Sequence, residues 1–302
     1  MNKYSIIVPI YNEEKNIELF LSEFKNFLEN KINQEIEIVI VNDGSNDQTK
    51  NLIMKWFENN LNVKNKIIHS ISNFGYGASL KIGINNSSYD NIIIIDCDQT
   101  YKFSDINRLQ IEYETNNLDM IVGSRINTLK KENFYYFKPK NLAREFIRRF
   151  SCFMIKKNII DINSGLRIFH KNKFKQIEDF LPNGFSFTSS ITCLFFQKNF
   201  SVRYIDIDYL NRGGESKIKP VKDFLNFINL IVKMTIMIKP LRIFIPLFFL
   251  TFSLSLFLLI IRAFFSENFF GTGITLLIVS LLFLFFGYVF EMLLIIFNKI
   301  KK

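Results

Sequence analysis

Asp96 and Asp98 stand two residues apart directly after the β-branched run Ile92–Ile95. At that spacing two hard carboxylate oxygens can share one divalent cation with a diphosphate, and Mg2+ or Mn2+ suits such donors. Taken alone, the pair also reads as an ordinary acidic turn after a strand. Asn42-Asp43-Gly44-Ser45 with Thr49 could serve a ligand or simply cap the next helix. Gly75-Tyr76-Gly77 could cradle phosphate on backbone N–H groups or make a tight turn. Only two histidines exist, His69 and His170, and they lie far apart, so a His-ligated metal centre is not expected. The three cysteines, Cys97, Cys152 and Cys193, have no C-x-x-C spacing, which excludes a zinc ribbon or disulfide framework and points to a reducing compartment.

The elements that must hold these residues follow from the hydrophobic pattern. Short β-branched runs at Ser5–Val8, Glu35–Val41, Lys66–Ile71 and Asn91–Ile95 alternate with amphipathic stretches, the pattern of an α/β fold with a parallel sheet. Ile17, Phe20, Leu21, Phe24, Phe27 and Leu28 recur at spacings of three and four and predict a helix packed on that sheet. Ile38–Val41 and Ile92–Ile95 are continuously apolar, as central strands covered on both faces should be. Ligands bind such sheets at the carboxyl ends of the strands. Residues 9–14, 42–45, 73–77 and 96–98 all fall there, so one cleft is expected to collect them.

The chain has 302 residues, 48% of them hydrophobic, and so must bury a core rather than remain disordered. Its net charge of +10 is unevenly spread: residues 1–120 carry 11 Lys/Arg against 17 Asp/Glu, leaving a strong positive excess in the remainder. A basic second half that leads into apolar runs predicts contact with an anionic membrane surface or a phosphate-bearing partner. No stretch interleaves Arg with aromatics as a nucleic-acid reader would, so nucleic acid is not an expected partner.

Ile243–Ile261 and Asn268–Phe290 are free of charge and long enough to cross a bilayer as helices. Buried core helices are the other reading of such runs. Lys233, Lys239 and Arg242 precede the first run and Lys299, Lys301 and Lys302 follow the second, which predicts two spans with both termini cytosolic. The apolar start, Tyr4–Tyr11, is too short for a signal peptide and runs into Asn12-Glu13-Glu14, so the first domain is expected in the cytosol. Lys222, Asn226, Asn229 and Lys233 form one polar stripe on a helix otherwise lined with Phe, Leu and Ile. That helix either lies in the membrane interface or docks on the soluble domain. The expected organisation is a domain over 1–218, an interfacial amphipathic helix over 219–240 and a transmembrane hairpin over 241–302.

In this order, VPIYNEE (8–14), VNDGSNDQT (41–49), NFGYGASLKIGI (73–84), DCDQTY (96–101) and VGSR (122–125) resemble the family 2 glycosyltransferases with a GT-A fold. DINSGLR (161–167) and NRGGESK (211–217) are similar to the branch containing dolichol- and polyprenyl-phosphate sugar synthases. The resemblance implies that Pro9, Tyr11, Asn12, Glu13 and Asp43 form the nucleotide pocket, with Asp43 on the base or ribose. It implies that Asp96 and Asp98 hold the metal and diphosphate, with Asp98 essential to catalysis. Arg125, Arg144 and Arg167 resemble the residues that hold the lipid phosphate, for which the forked guanidinium is suited, and Lys217 adds charge near the membrane. Many such synthases read D-x-D-x-Q with a third metal ligand at the glutamine, whereas Thr100 occupies that place here.

The implied reaction is inverting, metal-dependent transfer of a sugar from a GDP- or UDP-linked donor to a polyprenyl phosphate at the cytosolic membrane face. A transferase acting on another glycan or lipid-linked acceptor is one alternative, and a non-catalytic membrane-tethered nucleotide-sugar-binding protein is another. A processive polysaccharide synthase is excluded, because its Q-x-x-R-W motif requires a tryptophan that Trp56, the only one, does not supply. The oligomeric state, homo-oligomer included, is left open.

Overall fold

The computed structural model describes residues 2–31, 34–130, 139–210, 228–229, 231–233, 235–265 and 270–300. They fall into two compact units, Met1–Cys152 with Lys157–Phe227, and Phe153–Lys156 with Ile228–Lys302.

The first unit begins with the alternation expected: β1 (Lys3–Ile10), α1 (Ile17–Glu29), β2 (Glu35–Asn42), α2 (Thr49–Glu58), β3 (Asn65–His69), α3 (Tyr76–Asn86) and β4 (Asn91–Ile94). It continues through α4 (Phe103–Thr115), β5 (Met120–Ser124), α5 (Ile126–Lys130), α6 (Pro139–Ile155), β6 (Arg167–His170), α7 (Lys171–Lys175), α8 (Phe187–Gln197) and β7 (Val202–Asp206). The seven strands form one sheet in the order β3-β2-β1-β4-β6-β5-β7. Strands β3, β2, β1 and β4 are mutually parallel, as are β5 and β7. Only β6 runs against its neighbours, pairing antiparallel with β4 and β5.

Central strands read as apolar because both their faces are covered. Ile6, Ile7 and Val8 of β1, Ile38–Val41 of β2 and Ile92–Ile94 of β4 are all buried. Helix α1 buries Ile17, Phe20, Leu21, Phe24 and Phe27, and Phe20, Phe24 and Phe27 surround the Phe103 ring at the start of α4. These rings belong to one core cluster with Tyr4, Ile6, Val8 and Ile10 of β1, Ile36, Ile38 and Ile40 of β2 and Ile93 of β4.

In the second unit, α9 (Leu241–Phe265) and α10 (Phe270–Ile300) are long and apolar enough to cross a membrane, over Leu241–Ile261 and Gly271–Ile296. They pack antiparallel: the Phe244 and Phe290 rings stack at 5.7 Å, and the Ser255 hydroxyl donates to the Gly273 carbonyl at 2.7 Å. A Cβ at Gly273 would lie 2.7 Å from Leu259 Cδ2, so the missing side chain sets the close approach. Of the interfacial helix expected over 219–240, residues 228–229, 231–233 and 235–238 are helical. Residues 219–227, with Lys222 and Asn226, lie outside the described residues.

Candidate active site

Strand β1 releases its chain into a turn closed by Asn12, which has φ +51°. Asparagine tolerates this left-handed conformation better than most residues. The Asn12 backbone N–H donates to Ser45 Oγ at 2.9 Å, and Asn12 Oδ1 accepts from the Asn46 N–H at 2.9 Å. The Glu13 N–H donates to Thr49 Oγ1 at 2.9 Å. These contacts weld the loop after β1 to the loop after β2, so Tyr11, Asn12, Glu13 and Asp43 belong to one wall. Pro9 stands earlier, within β1, opposite Val41 of β2.

Asp43 is almost wholly buried and accepts two backbone hydrogen bonds, from Phe74 N–H at 2.8 Å and Gly75 N–H at 2.9 Å. Its carboxylate therefore anchors the glycine loop that opens α3, a task that the expected base or ribose contact does not describe. Gly75 has φ +102°, and a Cβ there would lie 2.6 Å from the Asn183 carbonyl oxygen, so no other residue fits. From the first turn of α3 the Tyr76 hydroxyl donates to Asp96 Oδ1 at 2.8 Å. Burial, reinforced by the charge of Asp96, raises the Tyr76 phenol far above its ordinary pKa and keeps it a donor.

Asp96 and Asp98 follow β4 as expected. Gln99 between Asp98 and Thr100 has φ +58°, and this turn brings Thr100 back so that its hydroxyl donates to Asp98 Oδ1 at 2.6 Å. Thr100 thus orients Asp98 from the position where a third ligand was sought. Among the described residues no three His, Cys, Asp or Glu side chains form a metal cluster. The residues here that could hold a cation are the two carboxylates. Their hard oxygens suit Mg2+ or Mn2+. Asp96 Oδ2 packs against Gly165, where a Cβ would stand 2.3 Å from that oxygen.

Arg125 follows β5 and is buried against Asp161, with Nε to Oδ2 at 2.8 Å and Nη2 to Oδ1 at 2.9 Å. Its backbone N–H also donates to Asp161 Oδ2 at 3.0 Å, and the guanidinium lies 5.2 Å from the Tyr209 ring centroid. Burial opposes both charges, yet the pairing outweighs it. The Arg125 pKa is held above its ordinary value and that of Asp161 below.

Arg167 departs from the expectation of a direct phosphate contact. It begins β6 in the middle of the sheet, opposite Ile94 and Val122, and is fully buried. Nη1 donates to Thr192 Oγ1 on α8 at 3.1 Å, Nη2 donates to the Ser164 carbonyl, and Nε has no hydrogen-bond partner. Burial lowers its pKa, opposed by the nearby Tyr76, Tyr204 and Tyr101. Arg144 lies on α6, but its side chain is outside the described residues, as is the whole of Lys217.

Tyr101 joins the acidic and basic halves. It accepts a hydrogen bond from the Gly165 N–H at 2.7 Å and packs edge-on against Tyr209, while its buried phenol feels the charges of both Arg125 and Asp96. The structure thus gathers Asp43, Asp96, Asp98, Arg125 and, behind them, Arg167. Tyr101, Asp161 and Gly165 are not singled out from sequence, although all three lie within the quoted motifs, and Tyr76 enters there only as part of a glycine turn, not for its hydroxyl. For Asp161 the signal was the cost of burying Arg125 without a carboxylate partner, which Asp161 at the head of the DINSGLR segment relieves.

A family model described as Glycosyl transferase family 2 matches residues 5–178. A dolichyl-phosphate beta-glucosyltransferase of Homo sapiens is 29% identical over 178 residues, covering 55% of this chain and 54% of that one. A bactoprenol glucosyl transferase of Shigella phage SfX is 36% identical over 126 residues, covering 41% and 39%. The chain thus matches about half the length of the human relative. Among solved structures, glucosyl-3-phosphoglycerate synthase from Mycobacterium tuberculosis, in complex with Mn2+, uridine diphosphate and phosphoglyceric acid, superposes with a TM-score of 0.57. That similarity covers 77% of this chain and 78% of that one at 13% identity, and establishes a GT-A-like α/β fold.

Proposed function

The chain belongs to glycosyl transferase family 2, and from that premise we propose that it moves a hexose from a nucleoside diphosphate to a polyprenyl phosphate. Transfer proceeds with inversion at the cytosolic face of the membrane that α9 and α10 span. The observation that carries this reading is a run of contacts from Asp96 to the buried Arg125: Gly165 lies against both Asp96 and Tyr101, Tyr101 packs edge-on against Tyr209, and the Arg125 guanidinium lies 5.2 Å from the Tyr209 ring centroid. A leaving diphosphate needs the first and an anionic acceptor the second. The human and phage relatives, whose names specify dolichyl phosphate and bactoprenol as acceptors and glucose as the sugar, support the same acceptor class and make a glucosyl donor the first to test. The uridine diphosphate and Mn2+ held by the solved neighbour favour a UDP-linked donor.

Asp96 and Asp98 would hold Mg2+ or Mn2+ together with the donor diphosphate, and the bound cation supplies Lewis-acid neutralisation of the departing charge. Thr100 and Tyr76 fix the two carboxylates for that task through the hydrogen bonds to Asp98 Oδ1 and Asp96 Oδ1. The wall made by residues 11–14 and 42–49 receives the nucleoside, and Asp43 holds the glycine loop beside it. Arg125, locked by Asp161, is the candidate for the acceptor phosphate, and Arg167 adds positive potential from beneath Tyr76 and Tyr101. The acceptor phosphate is already anionic near neutral pH, so an oxygen of it attacks the anomeric carbon as the diphosphate leaves, without a strongly activated base. Positioning and charge supply the rate.

Incubating the full chain in detergent with polyprenyl phosphate and a panel of UDP- and GDP-hexoses, then weighing the extracted lipid by mass spectrometry, tests the reading. A monohexosyl-phosphoryl lipid formed from one donor is the expected product. Sugar recovered only on water-soluble glycan, or only as free hexose, would refute the acceptor assignment.

A further inference from the structure

The segment between α7 and α8 carries an aromatic ring to which the reaction described above gives no task. Phe185 is half exposed, and its ring stacks on Tyr76 with centroids 5.8 Å apart and an angle of 19° between the planes. Tyr76 is the residue that donates to Asp96 Oδ1. Phe185 therefore stands one ring away from a carboxylate proposed to hold the cation and the donor diphosphate. A single apolar side chain at a protein surface needs no explanation. Phe185 differs because its mount is rigid.

That mount is built on the glycine loop. A Cβ at Gly77 would lie 2.3 Å from the Pro182 carbonyl oxygen, and one at Gly75 would lie 2.6 Å from that of Asn183. The two glycines thus let the backbone at 182–183 press directly on the start of α3. The Asn183 carbonyl accepts from the Ala78 N–H at 3.0 Å, one of the donors that a helix start leaves without an intrahelical partner. Lys81, further along α3, donates to Asn183 Oδ1 at 3.0 Å and to the Leu181 carbonyl. On the other side of Phe185, the Phe187 N–H donates to the Gly184 carbonyl at 3.2 Å. The Ser186 carbonyl accepts from the hydroxyls of Ser189 at 2.9 Å and Ser190 at 2.6 Å, in a helix α8 whose residues are all buried. Phe185 is clamped from both sides, and a ring ordered before its ligand arrives loses little freedom on binding it.

We propose that Phe185 is the platform on which the hexose of the donor rests. That role depends on the transfer reading and assigns the part of the donor which that reading leaves unplaced. In a nucleoside diphosphate sugar the hexose is joined directly to the outer phosphate. The nucleoside and the prenyl chain of the acceptor each begin one phosphate farther off, so the hexose is what a group one ring from Asp96 meets. A pyranose whose hydroxyls are equatorial carries axial C–H bonds on its two faces. These bonds are apolar and slightly positive, complementary to the negative face of an aromatic ring. The hydroxyls at the rim stay free for polar partners. Small-molecule sites are commonly made this way, with aromatic walls supplying contact area and a few polar groups fixing orientation.

The test compares the nucleotide with and without its sugar. Binding of UDP and UDP-glucose, and of GDP and GDP-mannose, is measured by calorimetry with Mn2+ on the full chain in detergent, for the parent and for Phe185→Ala, Phe185→Leu and Phe185→Tyr. Each variant is first shown to melt as the parent does. Phe185→Leu, which keeps apolar volume against Tyr76, holds the comparison open if Phe185→Ala disturbs folding. In the Ala and Leu variants, affinity for the nucleotide sugar that the parent binds should fall by about fivefold or more, while affinity for the free nucleotide changes by less than about twofold. Phe185→Tyr, which retains the ring, should restore the difference. Equal loss for nucleotide and nucleotide sugar would overturn the proposal, showing that the ring only steadies Tyr76 and Asp96. Unchanged affinity for both would overturn it as well, and a rise confined to the KM for polyprenyl phosphate would give the ring to the lipid chain instead. A parent chain that binds neither nucleotides nor nucleotide sugars would refute the transfer reading itself, and the platform with it.

Discussion

The Tyr76 hydroxyl, in the first turn of α3, donates to Asp96 Oδ1 at the end of β4 across 2.8 Å. One carboxylate oxygen thereby takes its place from the protein, while the other packs against Gly165, where a Cβ would stand 2.3 Å away. Tyr76 itself is stacked on Phe185 at 5.8 Å, so the donor is held by packing and by the glycine loop that Asp43 anchors. The acid that would meet a cation is thus oriented by a loop that begins at a different strand.

Tyr76→Phe removes a hydrogen bond to a charged acceptor, worth about 1.5–3 kcal/mol. Transfer should fall by roughly tenfold or more, and the metal concentration giving half-maximal activity should rise. A metal titration of both proteins measures it. An unchanged midpoint would mean that Tyr76 does not orient Asp96 for the cation.

Asp98→Asn leaves the Thr100 contact sterically possible but removes a charged ligand. Loss of turnover by about a thousandfold, equivalent to ~4 kcal/mol, is expected. Chelation by EDTA should mimic this loss in the parent chain, and added Mg2+ or Mn2+ should reverse the chelation alone. Full activity in EDTA would remove the metal from the mechanism.

Gly165→Ala introduces a methyl group 2.3 Å from Asp96 Oδ2 and 3.2 Å from Tyr101 Cε2. Because the backbone there is not left-handed, the effect is one of space alone. Asp96 must move, so the expected outcome is a folded protein with activity reduced by about a hundredfold or more. Parental activity in Gly165→Ala, with its thermal midpoint retained, would show that Asp96 has no fixed place in the reaction.

The Arg125–Asp161 pair makes stability depend on pH in a defined direction. The folded Asp161 pKa lies below its ordinary value, so the contribution is complete above about pH 4 and is lost as pH falls through the lower folded value. Asp161→Asn should lose stability at neutral pH, on the order of 3–5 kcal/mol for an uncompensated buried cation. The gap between the two proteins should close toward acid. Denaturant midpoints measured from pH 7 down to pH 3 would reveal it, and a constant gap would contradict the assignment.

Much of the architecture was legible in the sequence because periodicity and apolarity are local. The strands at Ser5–Val8, Ile38–Val41 and Ile92–Ile95 are where the runs place them, and the α1 core face is as spaced. The two helices long enough to span a membrane also follow from the absence of charge over Ile243–Ile261 and Asn268–Phe290, although α10 runs on to Ile300. The acidic pair and the loops at 11–14 and 42–45 could be assigned to one cleft because parallel strands deliver their carboxyl ends to one edge.

Tertiary structure decided what each charged side chain faces. Nothing in the order of residues says that β6 inserts antiparallel between β4 and β5, yet this insertion buries Arg167 in the sheet and brings Gly165 against Asp96. Equally, Asp161 meets Arg125 from 36 positions away along the chain, and Asp43 accepts from Phe74 and Gly75. A residue type and its spacing fix what chemistry a group is capable of. Burying a charge is so costly that its actual role is set by whichever partner the fold brings within hydrogen-bonding distance, and that partner lies far away along the chain.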